Sequence, residues 1–182
     1  MKKLLEFGEY TALYKLPVEA VTIEAVEPEL DINKPGLLMH GSVIDPYLIL
    51  KSGLESRETQ YFKEFKSLPQ ICMGLNSTNR SHTLEANGSV KNAAVKYAQY
   101  FSKDGMVYLL SDEVKDFITY GEQIDDYGDY QRGNASVTEP IDGDLITGII
   151  TKNLPKAMAA LLKSRRNLPV YMPDGTEYRM RA

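Results

Sequence analysis

The stretch Leu37-Leu38-Met39-His40-Gly41-Ser42, with Asp45-Pro46 close behind it, constrains this chain more than any other. A short apolar run of this kind reads as a buried strand. It ends in a histidine, a glycine and a hydroxyl residue. Asp45 is a good N-cap, and Pro46 fits the first helical position, where its missing N–H costs nothing. Tyr47, Leu48, Leu50 and Leu54 then recur at helical spacing, and Gly53 stops the helix. The unit is a strand, a tight corner and a short helix.

The rest of the chain alternates similar elements. Thr11 to Val26 is rich in Val, Ile, Thr and Tyr, with Pro17, Pro28 and Pro35 as breakers, so residues 1–35 read as short strands and loops. Ser56 to Phe65 reads as a short helix and Pro69 to Leu75 as a strand. Val90, Ala93, Ala94, Tyr97 and Phe101 form one apolar stripe, the best helical signal in the sequence, with Ser89 as its cap. Met106–Leu110 and Leu145–Thr151 read as buried strands. Asp112 to Ile118 fits a short helix or a strand end. Residues 119–134 carry Tyr120-Gly121 and Tyr127-Gly128 in acidic surroundings and read as a loop. Ala135–Thr138 is a strand leading to Glu139. Leu154 to Leu162 is helical with Asn153 as cap, and Pro173-Asp174-Gly175 joins Val170–Met172 to Thr176–Met180 in a hairpin.

A length of 182 residues suits one domain with a core of useful size. Cys72 is the single cysteine, so no internal disulfide forms, which suits a reducing compartment. Glu6 and Glu9 interrupt the start before a signal-peptide core develops, and no apolar run is long enough for a membrane span. A cytoplasmic location follows as the expectation. The net charge of -4 argues against a surface that is basic all over. Residues 151–182 are the exception, with seven Lys/Arg against Asp174 and Glu177, a local excess of +5. Such a segment is either a solvated face with a basic tail or a docking patch for an acidic partner or phosphates.

Several chemistries lack their residues. Two histidines and one cysteine without clustering give no zinc-ligand spacing. The phosphate-cradling Gly-x-x-x-x-Gly-Lys and Gly-x-Gly-x-x-Gly patterns do not occur, nor does a Gly-x-Ser-x-Gly elbow. His82, in a polar loop, reads as solvated surface.

With Leu37–Ser42 and Ile49-Leu50-Lys51-Ser52-Gly53-Leu54, the chain resembles the first strand and helix of the ADP-ribosyltransferases. The branch is the His-Tyr-Glu one, which holds the diphtheria-toxin and poly(ADP-ribose)-polymerase types. Ala93–Ala98 followed by Gly105–Leu110 looks like that family's tyrosine helix and the strand after it. Ser136-Val137-Thr138-Glu139-Pro140-Ile141 looks like the glutamate segment, and Leu145–Ile150 like the closing strand. The resemblance spans about residues 37–151, and its specificity lies in the order of the four pieces.

The resemblance implies NAD as co-substrate and no metal. Glu139 would hydrogen-bond the 2′-hydroxyl of the nicotinamide ribose and stabilise the oxocarbenium-like ribose formed as nicotinamide leaves. His40 would bind the adenosine ribose, the Gly41 backbone the nicotinamide amide, and Ser42 would support the same corner. Tyr97 would stack on the nicotinamide ring. Tyr61, in Tyr61-Phe62, is a candidate for the second ring, although it lies far upstream of Tyr97. Val137 stands where arginine-specific members carry Glu or Gln, so an arginine acceptor is not expected, and features of polymer elongation are missing.

The function so implied is transfer of single ADP-ribose units to a macromolecular acceptor, protein or nucleic-acid base, of a toxin, effector or phage kind. The alternatives are NAD glycohydrolysis and an inactive module that binds ADP-ribose or a partner. The implied fold is α+β, a split β-sandwich of two packed twisted sheets with flanking helices. Residues 1–35 would be an extension, 36–151 the core, and 152–182 a basic helix and hairpin, all in one domain. No contact with a membrane is expected.

Overall fold

The computed structural model describes residues 21–55, 71–75, 104–118, 120–121 and 134–181. Its strands are β1 (Thr22–Val26), β2 (Leu38–Ser42), β3 (Ile71–Leu75), β4 (Met106–Leu110), β5 (Tyr120–Gly121), β6 (Asn134–Val137), β7 (Ile146–Ile150), β8 (Val170–Tyr171) and β9 (Glu177–Arg181). Two α-helices, α1 (Pro46–Ser52) and α2 (Leu154–Ser164), and two 3-10 turns, Asp112–Phe117 and Gly143–Leu145, complete the described elements.

Strand β2 lies inside the sheet, between β4 and β3. The full order is β1-β9-β8-β7-β4-β2-β3-β6-β5, with β7–β8 the parallel pair and the other neighbours antiparallel. The architecture is α+β, as the sequence suggests. The described strands form one continuous ladder rather than two separate ones, because β4 bonds β2 on one edge and β7 on the other. The ladder is interrupted by a register shift between Leu109 and Leu110 on the β4–β7 seam. A shift of this kind bends a sheet and increases its twist.

Each face of the sheet has its own cover. Leu38, Met106, Tyr108, Leu110, Ile71, Met73 and Val137 pack with Ile49 and Leu50 of α1 and with Leu154, Ala157, Met158 and Leu161 of α2. Met39, Val107, Leu109, Ile150 and Tyr171 face the other way, where Leu30, Ile32 and Leu37 cover them. Residues 27–37 therefore do two jobs. They carry the chain across the sheet from β1 to β2, and they bury the face that no described helix covers. Full burial of one such aliphatic side chain is worth about 1.5–3 kcal/mol, so Ile32, 1% exposed, anchors the crossing.

The helix signals read from the sequence are met locally. The Asp45 carboxylate accepts the Tyr47 N–H at 2.9 Å, and Pro46 opens α1. The Asn153 side chain accepts the Lys156 N–H at 3.2 Å. Ala157, Ala159 and Ala160, all fully buried, let α2 approach its neighbours closely. Helix α2 ends at Arg165, whose φ of 58° is left-handed, and the Arg166 N–H then reaches the Leu161 carbonyl at 3.0 Å. The hairpin β8–β9 turns at Gly175 (φ 89°), with the Gly175 N–H on Met172 O and the Thr176 N–H on the Asp174 carboxylate, both at 2.9 Å. The helices expected over Ser56–Phe65 and Val90–Phe101 lie outside the described residues.

Candidate active site around the His-Gly-Ser corner

In the β2–β4 ladder His40 stands opposite Tyr108, Gly41 opposite Val107 and Ser42 opposite Met106. Residues directly opposite in an antiparallel pair project to the same face. His40 is half-buried, and Tyr108 beside it is fully buried in the layer that packs on the helices. Ser42 is 4% exposed, and its Oγ accepts the Ile44 N–H at 3.1 Å. That bond closes the turn into α1, so the Ser42 hydroxyl shapes the corner. Val43 and Ile44, just beyond, are exposed, so the corner reaches the surface at the end of β2.

Glu139 follows β6 and is exposed. The register locates it relative to the corner. Met39 pairs with Gly74 and Met73 with Ala135, so His40 is level with Ala135 two strands away. Glu139 lies four residues farther on, two beyond Val137, the last paired residue of β6. At about 4.8 Å per strand β6 lies about 10 Å across from β2, and Glu139 stands in the bend past its end. It is nearer the level of Ser42.

Glu139 is held from its C-terminal side. Leu54 and Ile141 exchange backbone hydrogen bonds of 2.8 and 2.9 Å, which pins the segment after Glu139 to the end of α1. Gly53 makes this approach possible. Its φ is 78°, and a β-carbon there would stand 2.1 Å from the Ile141 carbonyl oxygen. The guanidinium of Arg166 completes the joint. One terminal nitrogen donates to Leu50 O at 3.3 Å and to Gly143 O, and the other donates to Ile146 O at 3.0 Å.

Of the other expected site residues, Tyr97 and Tyr61 lie outside the described residues. Tyr120-Gly121, read as part of a loop, forms β5 and pairs with Ser136 and Ala135 of β6. The resemblance also makes the loop tyrosines and Arg132 candidates for acceptor recognition, and of these Tyr127 and Arg132 lie outside the described residues. Sequence reasoning passed over Tyr108, the neighbour of His40, because only the strand pairing brings them together. It took Arg166 for one of a run of basic surface residues.

That basic segment is largely occupied within the fold. Arg166 serves three carbonyls. Arg179 pairs with Glu177 at 2.5 Å and Glu29 at 2.8 Å, and Arg181 pairs with Glu24. The Lys163 ammonium sits 4.0 Å from the centre of the Tyr47 ring, joining α2 to α1. Lys152, Lys156 and Arg165 are what this segment leaves for a docking patch.

Glu177, fully buried, is the centre of a second polar cluster. Burial pushes its carboxyl up. The Glu29 N–H at 2.9 Å, Arg179 and the Tyr171 hydroxyl outweigh that and hold it below the usual value. The Tyr171 phenol is pushed up, by burial first and then by Glu177. The cluster ties residue 29, at the start of the crossing segment, to the β8–β9 hairpin.

Among the described residues no group of three or more His, Cys, Asp or Glu stands together as a metal site, and no helix is long and apolar enough to cross a membrane. No protein-family model, no curated protein and no solved structure matches the chain.

Proposed function

We propose that this chain is an NAD-dependent mono-ADP-ribosyltransferase that moves ADP-ribose onto a protein or nucleic-acid acceptor and releases nicotinamide. The observation that supports this best is spatial. Those segments of the resemblance that fall within the described residues are neighbours in the fold. The His-Gly-Ser strand β2 lies beside β4, β4 lies beside β7, and the segment after Glu139 is pinned to the helix that follows the histidine. For the family's split sandwich, the register shift at Leu109/Leu110 is where one ladder would bend into two layers.

His40 takes the adenosine ribose and Glu139 the nicotinamide ribose, two groups separated by a pyrophosphate. In the reaction, the bond from the ribose anomeric carbon to the nicotinamide nitrogen breaks. Its electron pair neutralises the pyridinium. The Glu139 carboxylate stabilises the positive ribose through the 2′-hydroxyl. A lone pair of the acceptor then forms the new bond at the anomeric carbon, and the acceptor's proton passes to Glu139 or to water. The Gly41 backbone, Ser42 and Tyr97 orient the nicotinamide end, and Tyr61 is the proposed second ring. NAD is the one co-substrate in this scheme.

Hydrolysis of NAD is the second reading, favoured by the exposure of Glu139, which leaves water free to act as acceptor. The test incubates the protein with labelled NAD and cell lysate, followed by nuclease or protease, beside Glu139→Gln. Label that survives protease and not nuclease marks a nucleic-acid acceptor, and the reverse marks a protein. Nicotinamide released without labelled macromolecule marks hydrolysis. Equal transfer by Glu139→Gln removes Glu139 from its role, and no nicotinamide release by the wild type sinks the reading as a whole.

A further inference from the structure

We infer that Arg166 is a positioning residue for Glu139, an assignment that rests on the proposed transfer reaction. Its guanidinium bonds three segments at once. Leu50 O belongs to the last turn of α1, the helix that follows the His-Gly-Ser corner. Gly143 O lies in the turn four residues after Glu139, and Ile146 O opens β7. The carbonyls at a helix end have no partner within their own helix. A planar group with five fixed donors can bridge such a carbonyl and two others from neighbouring segments, and an ammonium on a flexible stem cannot hold the same geometry.

The position of Glu139 is set from two sides. On one side Val137 pairs with Ile71 in the sheet. On the other, Ile141 pairs with Leu54 and Arg166 holds the turn beyond. Without the guanidinium, the joint keeps only the Leu54–Ile141 pair and the apolar packing of Ile141 and Ile146 against Ile49 and Leu50. The helix end and the turn can then separate, and the Glu139 carboxylate shifts relative to the ribose it serves. The fold itself has the sheet and the α1–α2 packing to hold it.

The experiment follows nicotinamide release against NAD concentration for the full-length wild type, Arg166→Lys and Arg166→Ala, with a thermal melt of each. Rates are taken well below the melting temperature. The expected result is a kcat lower by about 100-fold in Arg166→Ala, the scale of a roughly 1 Å misplacement, with KM for NAD little changed. Arg166→Lys recovers only part of the loss, and low-millimolar guanidinium ion added to Arg166→Ala restores part of it. A purely structural role predicts something different, a rate that falls only with the folded fraction and no rescue by guanidinium. That result overturns the inference, as does an unchanged kcat in both folded variants. If Arg166→Ala does not fold, Arg166→Lys decides by the same criteria. A wild type that releases no nicotinamide sinks the transfer reading and this inference with it, whereas an active wild type with indifferent variants sinks this inference alone.

Discussion

Gly53 and Ile141 are in such close backbone contact that a β-carbon on Gly53 would stand 2.1 Å from the Ile141 carbonyl oxygen. The same glycine ends α1 at φ 78°, ψ −160°, a region open in practice to glycine alone. The joint between the His-Gly-Ser unit and the segment after Glu139 thus depends on a missing side chain.

Gly53→Ala should cost at least about 1–3 kcal/mol from backbone conformation, with the collision against Ile141 added. The urea midpoint should fall with an unchanged m-value. On the proposed chemistry, nicotinamide release should fall more than the folded fraction does, because the variant displaces the segment that carries Glu139. A variant as stable as the wild type would mean that Gly53 has no such neighbour in solution.

Arg165→Gly should stabilise the chain, by up to about 1 kcal/mol. Arg165 has the left-handed φ of 58° at the end of α2, which glycine adopts without a Cβ penalty. Loss of a positive charge near the helix C-terminus offsets part of the gain. The urea midpoint compared at high and low salt separates the two contributions, since only the charge effect is screened.

Glu177→Gln should destabilise the chain at neutral pH by about 1–3 kcal/mol, the scale for a buried hydrogen-bonded group that loses its charge partner. The pH dependence follows from the sign of the shift. Burial alone raises the Glu177 carboxyl, yet the Glu29 N–H, Arg179 and Tyr171 bring it below the usual 4.5. A carboxyl with a depressed folded pKa contributes its full stabilisation above the unfolded value and loses it as pH falls through the folded one. The wild-type urea midpoint should therefore drop below pH about 4.5. The Glu177→Gln midpoint should drop less over the same range, so the two curves converge in acid.

Glu139→Gln should leave the melting temperature unchanged, because the side chain is exposed. On the proposed chemistry, nicotinamide release should fall about 100–1,000-fold, the usual scale for losing one group that stabilises transition-state charge. Asp144→Asn, an exposed carboxylate in the turn just beyond, is the control and should retain activity. Equal activity in the two variants would remove Glu139 from catalysis.

The features legible in the linear chain are local. Asp45 and Asn153 as caps, Pro46 as the first helical residue, Gly53 as a stop and Gly175 in the hairpin turn all depend on a few neighbouring residues. Their signals therefore survive in the linear order. The buried strands Met106–Leu110 and Ile146–Ile150 were legible for a similar reason, since a continuous apolar run with both faces covered needs no knowledge of its partners. The site was legible only as a set of pieces: a histidine, a tyrosine and a glutamate in a recognisable order.

Which strands meet is settled by the folded sheet. It placed β2 between β4 and β3, set Tyr108 beside His40, and put Glu139 past the end of β6 rather than level with the histidine. It also turned a basic run into structural cations, with Arg166 on three carbonyls and Arg179 on a buried carboxylate. The physical reason is the same in each case. A backbone carbonyl, a register and a missing β-carbon have no residue-specific signature, and their partners lie tens of residues away in the chain. The pairing free energy that selects among them appears only when the sheet closes and both of its faces are covered.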